Sequence, residues 1–190
     1  MMNNDSKKLL VVVDMQNDFI DGIFENHFAK RIVNDVAKTI ESWDGDVILT
    51  QDCHDADCYN LHPESKLYRL HCAIGTRGWE LNEKISKALD KHHDNFMDRR
   101  SLLFRKQYFH SEELSKEVSD GEYEDVTICG LCTDICVISN ALRIKQDNPN
   151  VKVTVLSDLC AGTSVDNHNA ALAVMQSCLI NVVNSSGYEF

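Results

Sequence analysis

Apolar residues recur along this chain in two alternating forms: short unbroken runs, and longer stretches with a three-to-four-residue spacing. Lys8-Leu9-Leu10-Val11-Val12-Val13 is the first run, apolar enough for a strand buried on both faces of a parallel sheet, and it stops at Asp14. Phe28, Ile32, Val36 and Ile40 then recur every four residues and predict a helix ending near Asp44-Gly45. Asp46-Val47-Ile48-Leu49-Thr50 is a second buried strand, followed by Asp52. Residues 53–80 are polar, carry Cys and His, and show no period; a segment of that length is too long for a mere connector. Beyond it the pattern predicts a helix over Leu81 to Leu89, a strand over Ser101 to Phe104 ending near Lys106, and a short helix over Glu112 to Val118.

The second half continues the alternation. Val126 to Cys129 is a β-branched run, Gly130 ends it, and Thr133 is the expected N-cap of a helix through Ile138, Ala141, Leu142 and Lys145. Val151 to Leu156 is a fifth strand, Val165 to Cys178 a last helix, and Leu179 to Val183 a sixth strand. Strands alternating with helices predict an α/β fold of three layers, a mainly parallel six-stranded sheet with helices on both faces.

Composition narrows this picture. With 190 residues, two prolines, no repeat and no low-complexity segment, a single domain over 1–190 is expected. The formal charge of -11 disfavours nucleic acid and anionic membrane as partners. Eight cysteines without regular spacing, signal peptide or apolar run of membrane length read as reduced thiols of a cytoplasmic protein.

In such sheets ligands bind beyond the carboxyl ends of the strands, so the residues that follow each strand carry the chemistry. These are Asp14, then Asp52 and His54, then Lys106, then Cys132 and Cys136. A carboxylate, a lysine and a cysteine at one sheet edge form a candidate catalytic set, with Cys136 at a helix start where backbone N–H groups and the dipole favour a thiolate. Asp52 and His54, two apart on extended chain, point the same way. Cys129-x-x-Cys132-x-x-x-Cys136 has the look of a cluster-binding spacing, but Cys129 falls inside the strand and no fourth ligand stands out. His92 and His93 read as ordinary surface histidines.

These residues carry a resemblance over nearly the whole chain to the isochorismatase-like cysteine hydrolases, and within them to the nicotinamidase (pyrazinamidase) branch. The matching segments are Val13-Asp14-Met15-Gln16-Asn17-Asp18-Phe19, Asp52-Cys53-His54, His62 to Tyr68 with His71 and Ile74-Gly75-Thr76, Lys106, and Gly130 to Val137. The resemblance implies the isochorismatase-like hydrolase fold and a triad of Asp14 as base, Lys106 and the nucleophile Cys136. It implies an oxyanion hole from the backbone of Cys132 and Cys136, with a cis peptide joining Leu131 to Cys132. It further implies one divalent metal ion, zinc first with iron or manganese as alternatives, on Asp52, His54, His71 and Glu64, and a substrate ring held by Phe19, Tyr68 and Phe109. The implied reaction is hydrolysis of nicotinamide to nicotinate and ammonia through a thioester, in NAD salvage, by a homo-oligomer (dimer or tetramer) whose partner is a small-molecule amide.

The chain departs from that branch at Cys53, where tryptophan is common, and at Asp55, where proline often follows, which leaves the pocket wall and the substrate open. Two other functions are compatible with the same residues: a metal-independent hydrolase of another small amide or carbamoyl compound, and an inactive metal-binding oligomeric scaffold.

Overall fold

The structure, a computed structural model that describes residues 7–188, is organised on one sheet of six strands, all parallel. In chain order, β1 (Lys8–Val13) is buried from Leu9 onward, and α1 (Asn17–Ile20) is a single turn that the sequence pattern does not predict. α2 (His27–Ser42) starts where the Asn26 side chain accepts the N–H groups of Phe28 and Ala29, and it buries Ile32, Val33, Val36 and Ile40. Phe28, the first member of the expected apolar stripe, is instead 43% exposed. It lies in the first turn, ahead of the face that meets the sheet.

β2 (Asp46–Asp52) is buried throughout and carries Asp52 as its last residue. α3 (Glu83–Asn95) is capped by Asn82 and runs past the expected Leu89. That extension corrects the expectation for His92, which continues the buried face of Ile85 and Ala88 at helical spacing. His92 is fully buried, its Nε2 3.1 Å from the Trp43 carbonyl and 3.2 Å from that of Gly45, whereas His93 is exposed. β3 (Ser101–Lys106), α4 (Glu112–Asp120) and β4 (Asp125–Leu131) follow.

A π turn, Thr133–Val137, leads from β4 into α5 (Ile138–Asp147), and β5 (Lys152–Ala161), α6 (Val165–Ser177) and β6 (Asn181–Val183) complete the chain. Thr133 is not the N-cap expected of it. The turn opens one residue earlier, at Cys132, and the buried Thr133 hydroxyl pairs with His168 Nδ1 of α6 at 2.8 Å. The helices form a layer on each side of the sheet, α2 packed on α3, and α5 packed on α4 and α6.

The strand order is β3-β2-β1-β4-β5-β6. Connections therefore run outward in opposite directions from the β1–β4 pair, which makes a crevice beyond the carboxyl ends of those two strands. Val13 pairs with Gly130 at that point. Gly130 has φ +119, and a Cβ on it would lie 2.2 Å from the Val13 carbonyl oxygen, so no other residue fits this close approach.

Candidate active site

Asp14 leaves β1 with φ 47, a left-handed backbone unusual for a residue with a side chain. Its N–H reaches the Thr50 carbonyl at 3.2 Å, and the Thr50 hydroxyl donates to Asp14 Oδ1 at 2.6 Å. The carboxylate is thereby turned under the crevice with no solvent exposure. Lys106, the last residue of β3, sends its ammonium across β2 to Asp14 Oδ2 at 2.6 Å, to Asp52 Oδ1 at 3.3 Å and to Cys136 Sγ at 3.5 Å. Three residues distant in sequence thus share one cation.

Burial dominates the electrostatics here. It raises the Asp14 carboxyl, and nearby Asp52 adds to that, against the opposing pull of Lys106. Burial opposes the charge of Lys106, yet Asp14, Cys136 and Asp52 together hold its ammonium well above the usual lysine range. The Cys136 thiol is pushed well up by burial, and Lys106 only partly offsets this. Burial thus favours the thiol form of Cys136 over the thiolate. The Cys132 thiol is likewise raised by burial, to about 12. Its carbonyl accepts the N–H groups of Ile135 and Val137, on either side of Cys136, and the Leu131–Cys132 peptide is cis.

Asp52, His54, Glu64 and His71 form a second buried cluster, with one ligand atom from each lying within 4.8 Å of the others. The long segment after β2 reaches it by folding back: His54 N–H donates to the Cys72 carbonyl and Ile74 N–H to that of His54, which sets His71 beside His54. Glu64 is presented by a short turn, Pro63–Lys66. His54 Nε2 and His71 Nε2 lie 3.0 and 3.3 Å from Asp52 Oδ2. Burial works to raise the Asp52 carboxyl, but Lys106 and the two imidazoles outweigh it and hold Asp52 far below the carboxylate range. Burial and the neighbouring Asp52 raise Glu64.

This cluster passes a test of fit for a divalent cation. Glu64 Oε1 is buried without a hydrogen-bond partner, His54 Nε2 meets Asp52 Oδ2 at 3.0 Å without hydrogen-bond geometry, and Asp52 crowds Glu64 with like charge; a cation satisfies all three conditions. Two imidazoles and two carboxylates are a donor set that suits zinc, iron(II) or manganese(II).

Both groups open onto one cavity of about 560 Å³, whose wall includes Cys136 and Cys132 together with Asp52, Glu64 and His71. Phe19, Tyr68 and Phe109 all line it. Phe19 is almost buried, whereas Phe109 is 37% exposed at the mouth. Cys53 and Asp55 do not line this cavity. Cys53 instead accepts the Trp79 indole N–H at 3.0 Å beside a separate cavity, and Asp55 is exposed, so neither residue puts its own side chain on this wall.

Several contributors were not legible in advance. Phe24 lines the cavity and stands edge-on to His71, ring centroids 4.9 Å apart. Fully buried Gln16 clamps Asp52 through both backbone groups, donating to its carbonyl at 2.9 Å and accepting its N–H at 2.8 Å, with a further bond to the Trp79 carbonyl. Asp18 accepts the Cys72 N–H at 2.7 Å, next to His71. Gln16 and Asp18 fall within the Val13 to Phe19 segment that carries the family resemblance, but nothing in the sequence assigns them these backbone partners.

Sheet order and cavity together place the molecule among doubly wound α/β proteins whose sites lie beyond the carboxyl ends of parallel strands. Within that class the chain belongs to the isochorismatase family: the Isochorismatase domain matches residues 8–186. It is similar to the nicotinamidase of Saccharomyces cerevisiae, 25% identical over 216 residues that cover 93% of this chain and 99% of the relative. Among solved structures it resembles the nicotinamidase/pyrazinamidase of Bacillus subtilis, with TM-score 0.81, 25% identity, and coverage of 93% and 98%. The pyrazinamidase of Pyrococcus horikoshii, solved in complex with zinc, shares the fold at TM-score 0.75 and 23% identity, covering 94% of this chain and 99% of that one. Among the described residues no helix is long and apolar enough to cross a membrane.

Proposed function

We propose that the chain is a metal-dependent nicotinamidase, converting nicotinamide and water to nicotinate and ammonia. The observation that carries this reading is that one cavity is lined by Cys136, backed by the Lys106–Asp14 pair, by Asp52, Glu64 and His71, and by Phe19, Tyr68 and Phe109. The named activity of the relatives supports the same substrate.

Asp14, whose carboxyl burial has raised towards the range of an effective base, takes the Cys136 proton, and the sulfur attacks the carboxamide carbon. Lys106 holds Asp14 in line and balances the negative charge that passes between carboxylate and thiolate. The developing oxyanion is received by the backbone N–H groups of Cys132 and Cys136, fixed before reaction by the turn. Collapse breaks the C–N bond, and ammonia leaves with the proton from Asp14. Water then attacks the thioester, giving its proton to Asp14, and the acid departs as the thiol is restored.

Phe19, Tyr68 and Phe109 hold the flat ring. Asp52, His54, Glu64 and His71 would hold the metal ion, zinc being our first choice, supported by the zinc complex of the Pyrococcus horikoshii neighbour. Bound there, the ion supplies a Lewis-acid position for the pyridine nitrogen. We further propose a single hydrolase domain over residues 1–190, acting as a cytoplasmic homo-oligomer in NAD salvage without nucleic-acid or membrane partners; eight free cysteines support the compartment, and the acidic charge the exclusion of those partners.

The test is ammonia release from nicotinamide by purified protein, by a chelator-stripped sample, and by that sample with zinc or manganese restored. Activity should vanish and return. Turnover that survives stripping would reject the metal, and no turnover with metal present would reject nicotinamide.

A further inference from the structure

Phe109 sits in the bend between Lys106 at the end of β3 and α4, a segment whose Gln107, Tyr108 and Phe109 are exposed. One side chain ties this bend to the interior. Asn140, one turn after Cys136 and 1% exposed, donates from Nδ2 to the Phe109 carbonyl at 3.1 Å and accepts the Ser111 N–H on Oδ1 at 3.0 Å. The same Nδ2 also donates to the Cys136 carbonyl at 2.8 Å. A single carboxamide therefore grips the bend on both sides of His110 and, with its remaining donor capacity, the peptide of the cysteine opposite.

A backbone hydrogen bond of the bend to any other element would make Asn140 redundant. The backbone of residues 107–110 has no such bond among the described residues beyond those to Asn140; the Lys106 carbonyl, just before it, accepts from Cys53. The bend's side chains add contacts of their own, His110 at 3.4 Å from Arg143 and the Tyr108 ring against His62 with centroids 5.1 Å apart, but neither holds the backbone at Phe109.

We propose that Asn140 is a positioning residue for substrate recognition: it fixes the aromatic wall at Phe109 at a set distance from the Cys136 sulfur and touches neither substrate nor reacting atoms itself. This rests on the reading that Phe109 and Cys136 serve one substrate in one cavity. The partners differ in kind. The bond to the Cys136 carbonyl is the local i to i−4 contact that a hydroxyl on this helix also makes, whereas the two bonds to the bend need a carboxamide's reach and its paired donor and acceptor. Asn140→Thr therefore severs the bend and keeps the nucleophile's turn.

The experiment compares wild type, Asn140→Thr, Phe109→Ala and the double variant, each checked for native circular dichroism. The first readout is KM and kcat for nicotinamide. Two lost hydrogen bonds lead us to expect a KM rise of roughly tenfold in Asn140→Thr with kcat changed far less. That rise should disappear in the Phe109→Ala background. A rise of equal size in both backgrounds, or none in a folded Asn140→Thr protein, overturns the proposal.

The second readout needs no nicotinamide: the rate of Cys136 alkylation by N-phenyl iodoacetamide relative to iodoacetamide, followed at Cys136 by mass spectrometry. Wild type should favour the aryl reagent, and both single variants and the double should lose that preference to the same extent. If nicotinamide is not turned over, the functional reading fails while this ratio still decides the proposal; a ratio unchanged in Asn140→Thr overturns it. Should Asn140→Thr not fold, Asn140→Ser takes its place, with the shorter hydroxyl making the same local contact.

Discussion

Lys106 Nζ lies 3.3 Å from Asp52 Oδ1 while it also pairs with Asp14, so the cation behind the nucleophile is joined directly to a carboxylate of the proposed metal cluster. The two centres are one electrostatic unit. Asp52 stays ionised because Lys106 and two imidazoles surround it, and Lys106 stays charged because two carboxylates and Cys136 do. Neither set is complete without the residue between them.

Lys106→Met removes that residue while keeping its apolar stem. It leaves Asp14 buried without its counter-charge, so its carboxyl rises further and proton transfer from Cys136 loses its electrostatic support. We expect kcat/KM to fall by about a thousandfold or more and metal affinity to fall by about tenfold or more. Steady-state kinetics and chelator competition measure the two effects separately; unchanged metal affinity would show that the Asp52 contact is incidental.

The pH profile follows from Asp14. Its carboxyl is raised above the ordinary 3.8, and only the ionised form accepts the Cys136 proton, so activity is present above the raised value and lost as pH falls through it. Log kcat/KM should therefore decline with unit slope on an acid limb that begins above pH 3.8. Asp14→Asn should abolish turnover at every pH. A profile flat down to about pH 4, with the protein still folded, would remove Asp14 as the base.

How far the sequence reveals these features depends on whether their cause is local. The strand of Leu9 to Val13 is legible because both its faces are buried, which demands an unbroken apolar run. Asp14 is legible because it ends such a run, and Asp52 and Lys106 because each falls at the end of a predicted strand. The pairing of β1 with β4 is not, since it joins segments far apart in the chain and no local pattern encodes the register of Val13 on Gly130. Gln16 and Asn140 are amides with no chemistry of their own, and their value lies wholly in the backbone groups that the fold brings to them. His92 resembles a surface residue until the helix carrying it proves long enough to put it on the buried face of Ile85 and Ala88.

Gly130→Ala tests the crevice through stability. The substituted residue would have to hold φ near +119 and accommodate a Cβ 2.2 Å from backbone oxygen on β1, which no side-chain rotation relieves. We expect a loss of more than about 3 kcal/mol, from strain plus displacement of the central strand pair. Chemical denaturation reads it directly. A loss under about 1 kcal/mol would mean that β1 and β4 part more easily than their buried pairing implies.

Gln16→Leu separates support of the metal cluster from the nucleophile. The substitution conserves most of the side-chain volume and leaves the Asp52 N–H and carbonyl without their Gln16 partner, while the Trp79 carbonyl keeps the Gln51 amide at 2.8 Å. Asp52 is then free to rotate away from His54 and His71. Residues that orient metal ligands through their second hydrogen bonds contribute about ten- to a hundredfold in affinity, and a loss of that size is expected for zinc, read by competition with a chromogenic chelator. Saturating zinc should restore most of the activity, because the Asp14, Lys106 and Cys136 arrangement is held from β1, β3 and β4. Activity that stays low at saturating zinc in a folded Gln16→Leu protein would mean that Gln16 also braces the turn carrying Asp14, which lies only two residues before it.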